Sequence, residues 1–232
     1  MSYSYQSRPS FFNIAFAAIL LIVLVTLISA QQFTKGRENN RRIAINNVKA
    51  IAGGLIVFKV EYGSYPCKAT ARTLKADQRK KLPAGKSANA YFAQLIVTES
   101  LDSEKYFYTP GIEGFQQGDD VKDSSKTLLA EGENGFAYVM TLNDEALSDI
   151  KSMTPIAIAS VKVPGIVPTF DQEAYKGIAV YGAVDGSGKY AELNKHGNAI
   201  SNGRVHLFQT GEDGLFGEDF PIVTFPKPVK KK

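Results

Sequence analysis

Residues 11–30, FFNIAFAAILLIVLVTLISA, run for twenty positions without a charge, and only Asn13, Thr26 and Ser29 among them are polar. At about 1.5 Å of rise per residue, a helix of that length is roughly 30 Å long, the thickness of a bilayer's hydrocarbon core. The run therefore predicts a transmembrane helix over 11–30 behind a short leader, 1–10. The competing reading is a cleaved secretory signal, with Arg8 as its basic flank and Ala30 as the small residue before the cut. Signal cores are about 7–15 residues long, so the length favours an anchor. Lys35, Arg37, Arg41 and Arg42 follow the run, whereas only Arg8 precedes it. Taken alone, that asymmetry places the C-terminal bulk of the chain on the cytoplasmic side.

The pattern changes but does not stop after the apolar run. Ala44, Val48, Ile51, Leu55, Phe58 and Tyr62 recur at alternating spacings of four and three, which draws one stripe along a helix. Lys49, Lys59 and Glu61 fall off it. Gly63 is placed to end this helix in a left-handed cap, and Pro66 prevents its resumption. Gly53 and Gly54 are its weak point, each costing about 1 kcal/mol against Ala in a helix interior. If the polar stretch 31–42 is helical too, one helix of about 50 residues joins the transmembrane segment to an amphipathic extension, 31–63.

Beyond Pro66 the elements shorten. Residues 68–82 are basic and polar, and 89–100 reads as a short helix packing Tyr91, Phe92, Leu95 and Ile96. Strands are predicted over 106–109, 135–142, 155–163, 177–184, 204–210 and 222–225, from Val, Ile, Tyr, Phe and Thr runs bounded by Gly, Asp, Asn and Pro. No helical pattern long enough for a crossover separates the last four, which favours antiparallel pairing. The fold class is α+β: a long N-terminal helix packed on an antiparallel sheet, with a β-rich head over 64–225. A basic tail, 226–232, is read as a frayed, solvated terminus.

Charge and motifs narrow the function. The formal net charge is +4, yet residues 1–50 carry +5 and the tail lysines 227, 230, 231 and 232 add +4, leaving −5 between them. A nucleic-acid binder carries its basic excess on the folded domain, so nucleic acid is excluded as a partner. The single cysteine, Cys67, excludes an intrachain disulfide and any CxxC site. The segment Ala84-Gly85-Lys86-Ser87 imitates the end of a phosphate loop, but Lys80 stands where its first Gly belongs. His196 and His206 fall in no ligand spacing, and no serine lies in a nucleophile elbow. The chain reads as non-enzymatic. Asp185-Gly186-Ser187-Gly188 fits a hairpin turn. Glu212, Asp213, Glu218 and Asp219 place four carboxylates within eight residues around two glycines; a solvated tight turn and a calcium loop both fit that pattern.

A leader, an apolar helix opening on Phe11, the continuation NNVKAIAGGLIVFKVEYGSYP and a β-rich head together resemble the type IV pilin and type II secretion pseudopilin family. Gly63, Ser64, Tyr65 and Pro66 match the turn that closes the family's helix, and the blocks YFAQLIVTESLDSEKYFYTPG and GENGFAYV resemble pilin-like proteins with large heads. TGEDGLFGEDF resembles the calcium-holding loop of the major pseudopilin, which implies Asp213, Glu218 and Asp219 as calcium ligands. Two positions depart from the family: Ser10 stands where a prepilin peptidase cuts after Gly, and Ala15 where an early Glu is usual. The resemblance implies a minor structural subunit, anchored in the inner membrane by one span with its head periplasmic or extracellular. Its partners would be other pilin-like subunits and assembly-platform proteins, and Phe11, Ala44, Val48, Ile51, Leu55 and Phe58 would pack against sister helices. The alternative is a single-pass anchored binding module that works outside any filament.

Overall fold

A computed structural model describes residues 11–140, 154–159, 161–163, 168–201, 205–216 and 221–229. The chain divides into two compact units, Met1–Asn39 and Asn40–Lys232. The 52-residue helix α1 (Phe11–Tyr62) contributes to both, so the polar stretch after the apolar run is helical as expected. Gly63 ends the helix at φ +75° and donates its N–H to the Lys59 carbonyl at 2.9 Å. Only glycine adopts that left-handed geometry without steric cost.

Three short helices follow: α2 (Lys68–Thr73), α3 (Ala76–Lys81) and α4 (Ala88–Val97). The first two fall in the basic stretch 68–82, where six residues are too few to show a helical period. Cys67 caps α2, its Sγ accepting from the Thr70 N–H. Thr70 donates from Oγ1 to Gln94 Oε1 at 2.8 Å, and Gln94 Nε2 donates to the Cys67 carbonyl at 3.1 Å. This buried network joins α2 to α4. Ser87 caps α4 by accepting from the Ala90 N–H, which gives the phosphate-loop imitation a structural role. Residues 88–96 of α4 are all buried, the hydrogen-bonded Asn89 and Gln94 among them.

The expected strand over 106–109 is instead a 3₁₀ turn, Glu104–Phe107. Ser103 and Asp120 bind its N-terminal N–H groups, and such side-chain bonds offer the backbone an alternative to a ladder. Nine strands follow among the described residues: β1 (Phe136–Met140), β2 (Pro155–Ala159), β3 (Val161–Val163), β4 (Thr169–Phe170), β5 (Ile178–Ala183), β6 (Gly188–Leu193), β7 (Ala199–Ser201), β8 (Val205–His206) and β9 (Ile222–Thr224). Seven of them form one sheet in the order β8-β7-β6-β5-β2-β1-β9, while β3 and β4 make a separate ribbon. Every pairing is antiparallel. The predicted strand 155–163 is thus shared between two sheets, and among the described residues of 204–210 the strand covers Val205–His206. The turn at Asp185 is the hairpin between β5 and β6, with Gly186 at φ +81° and Lys189 Nζ 2.9 Å from Asp185 Oδ2.

Central strands β1 and β2 are buried at every position, because both faces are covered. Tyr138 of β1 meets Phe92 and Tyr91 of α4, with ring centroids 5.1 and 5.7 Å apart. Its hydroxyl donates to the Pro66 carbonyl at 2.9 Å, satisfying a group that is costly to bury alone. The basic tail is not frayed over 226–229. Lys227 donates its N–H to Asn89 Oδ1 at 3.0 Å and its carbonyl accepts from Gly132, while Val229 donates to the Gly114 carbonyl. Asn89, fully buried on α4, also donates to the Leu129 carbonyl at 2.8 Å. Lys227 and Val229 are thus held through their main chain, by Asn89 and by the backbone of Gly114 and Gly132, which charge counting does not reveal.

Candidate functional site

Of the residues expected to meet sister helices, Ala44, Val48, Ile51, Leu55 and Phe58 are each 0% exposed within the chain's own head. The head's own sheet and helices bury this stripe. Gly182 and Gly188, partners across β5 and β6, form the seat. A methyl group at Gly182 would lie 2.9 Å from the Val48 carbonyl oxygen, and one at Gly188 2.6 Å from that of Ile45. Gly54 makes a second close approach, to the Ser100 carbonyl, whereas nothing lies near Gly53. Phe11 opens α1.

Among the described residues, one helix is long and apolar enough to cross a membrane. Within it the stretch Thr34–Tyr62 is that long and apolar, yet its apolar positions Ala44, Val48, Ile51, Leu55 and Phe58 fill the head core, as those of a buried core helix do. Upstream, Leu20, Leu21, Ile22, Val23, Leu24, Val25 and Ile28 are 47–62% exposed. Seven consecutive or near-consecutive aliphatic side chains on the outside of a helix need an apolar medium or apolar neighbours.

Of the three expected calcium ligands, Asp213 is exposed in a turn, and Glu218 and Asp219 lie outside the described residues. The turn is built tightly: Gly211 takes φ +94°, and the Leu215 carbonyl accepts from Thr154 Oγ1 at 2.7 Å. Phe216 is buried and stacks on Phe208, with ring centroids 5.7 Å apart.

A different carboxylate group is assembled in the head. Asp120 Oδ1 accepts from Ser103 Oγ and from the Glu104 N–H, both at 2.8 Å, and Lys105 Nζ lies 3.0 Å from its other oxygen. Burial acts to raise the Asp120 pKa, but these hydrogen bonds and Lys105 outweigh it and hold the carboxyl below its usual range. A methyl at Gly118 would sit 2.7 Å from Glu104 Cβ, so only glycine lets this loop press onto the 3₁₀ turn. The loop thereby carries Asp119 beside Glu104. Glu133 arrives from the turn before β1, its Oε2 accepting from the Ala130 N–H at 2.8 Å. Glu104 Oε1 accepts from the Leu129 N–H at 2.7 Å.

Glu104, Asp119 and Glu133 each offer one oxygen, all within 4.8 Å of one another, in an arrangement that could hold a metal ion. Glu104 is 0% exposed and Glu133 4%. Among the described residues, Glu104 Oε2 is buried without a hydrogen-bond partner. Burial pushes the Glu104 carboxyl up to about 7; the Leu129 hydrogen bond opposes this, and Glu133, Asp119 and Asp120 add to it. Burial also raises Glu133. Sequence reading passed over this group, since its members stand 14 and 15 positions apart in irregular segments. Glu104 and Glu133 each stand among other polar residues, Asp102, Ser103 and Lys105 around the one and Glu131 and Asn134 around the other, so no local signal marked them.

His196 sits in a turn, its N–H donating to Asn194 Oδ1 at 2.9 Å, and Cys67 is buried as a helix cap. Comparison with protein-family models, with curated proteins and with solved structures finds no match for this chain.

Proposed function

We propose that the chain is a non-enzymatic structural subunit, anchored by residues 11–30 in the inner membrane, of a pilus-like or type II secretion pseudopilus assembly. One observation supports this most: a single helix, α1, bears exposed aliphatic side chains at Leu20–Val25 and Ile28 and, further along, forms the core of an antiparallel head. Such a helix leaves lipid only by packing its apolar surface on other apolar helices. With the stripe 44–58 enclosed in the head, the contacts to sister helices fall to the upstream segment. The reading places the head periplasmic or extracellular, against the flanking charges, and includes calcium at Asp213, Glu218 and Asp219. Ser10 and Ala15 make the chain a minor rather than a major subunit.

The test is cross-linking in the native membrane followed by detergent extraction and intact mass. Detergent-resistant complexes with other single-span helices, and a mature chain beginning at Phe11 with a methylated amino terminus, support the proposal. A full-length, monodisperse monomer overturns it in favour of an anchored binding module.

A further inference from the structure

We propose that Glu104, Asp119 and Glu133 form a binding site for one divalent cation of the calcium class, separate from the turn at Asp213. Three carboxylates from three loop segments converge, and the loop bearing Asp119 is clamped onto Glu104 by Gly118 and by the Asp120 hydrogen bonds. Oxygens within 4.8 Å of one another share a centre no farther than about 2.8 Å from each, near the 2.3–2.6 Å of calcium–oxygen bonds.

The second observation is Glu104 Oε2, fully buried and without a hydrogen-bond partner among the described residues. Its sister oxygen is already held by the Leu129 N–H, so the carboxylate is fixed with one oxygen free to serve as a ligand. Glu133, Asp119 and Asp120, which act on it, are all negative, and Lys105 is committed to Asp120. Burying like charges together is costly unless a counter-ion joins them. All three donors are oxygen, which selects a hard cation over zinc or copper. Asp119 is exposed, so the site opens to solvent on one side, giving the ion an entry path and room for the waters that complete six to eight ligands.

The experiment uses the full-length protein in detergent micelles, stripped with chelator and then titrated with calcium or magnesium chloride. Melting temperature and bound metal per chain are read together. The wild type and D213N are expected to gain thermal stability with calcium and to retain an ion at this site. D119N should weaken the calcium response by about tenfold or more, and E133Q and E104Q should abolish the ion's retention. Because Asp119 is exposed, D119N preserves the fold even if E104Q does not, and circular dichroism under chelator verifies this for each variant. The proposal is overturned if calcium changes neither quantity in the wild type, as expected of a Glu104 that merely holds a proton. It is equally overturned if the response survives intact in D119N and E133Q, if it disappears in D213N alone, or if magnesium acts more strongly than calcium.

Discussion

Gly182 on β5 and Gly188 on β6 face each other in register, and the backbone of α1 lies directly against both. The obstruction to a side chain there is main-chain carbonyl, which cannot rotate away. Substituting either glycine by Ala is expected to destabilise the protein by about 1–3 kcal/mol, the usual range for overpacking. Denaturant midpoints of the full chain in detergent measure this, and an unchanged midpoint for G188A would remove the seat from the account.

The adjacent glycines of α1 should respond differently. Gly53 has open space around it, so Gly53→Ala gains helix propensity and is expected to stabilise by up to about 1 kcal/mol. Gly54 lies with the Ser100 carbonyl 3.0 Å from where a methyl would go, and Gly54→Ala is expected to lose that gain. Thermal melts of the two variants side by side decide it.

Ending the chain after Pro226 removes Lys227, whose carbonyl accepts from the Gly132 N–H and whose N–H donates to Asn89 Oδ1; the Gly132 N–H loses its acceptor, while Asn89 Oδ1 keeps Asn134 Nδ2 at 3.3 Å. Each buried group left unsatisfied costs about 1–3 kcal/mol. The truncated protein should melt lower than one ending after Val229, which keeps these bonds.

Stability should also depend on pH through Glu104. Its carboxyl rises from 4.5 in the unfolded chain to about 7 in the fold, so between those values the native state binds more protons than the unfolded state. Stability therefore falls as pH rises from about 4.5 to about 7 and levels off above that. Glu133, also raised, acts in the same direction; Asp119 and Asp120 face the same carboxyl, with Lys105 held by Asp120. Denaturant midpoints in chelator at pH 5 and 7.5 should show a smaller difference for Glu104→Gln than for the wild type.

Membrane retention is expected to rest on the upstream segment of α1. Leu21→Arg with Leu24→Arg places two charges among exposed aliphatics, each costing about 2.5–3.5 kcal/mol at the centre of a spanning helix. The double variant should leave the alkaline-washed membrane pellet, while the wild type stays in it.

The sequence by itself determined the elements whose signal is local and repeated. Twenty uncharged positions specify an apolar helix, the four-three spacing from Ala44 to Phe58 specifies its amphipathic continuation, and Gly63 specifies its end. Short β-rich runs bounded by turn residues were enough for an antiparallel α+β head. Only the tertiary structure decided what covers the stripe, because periodicity tells that a face is buried and not by which neighbour; here Gly182 and Gly188 accept it within the chain. The six-residue helices α2 and α3 are too short for a period, and the 3₁₀ turn at Glu104 exists because Asp120, sixteen residues away, binds its N–H. The same long-range contact brings Asp119 beside Glu104, and Glu133 joins them from the turn before β1. A carboxylate's partners depend on which loops the fold brings together, and loop residues carry no periodic pattern from which that meeting could be read.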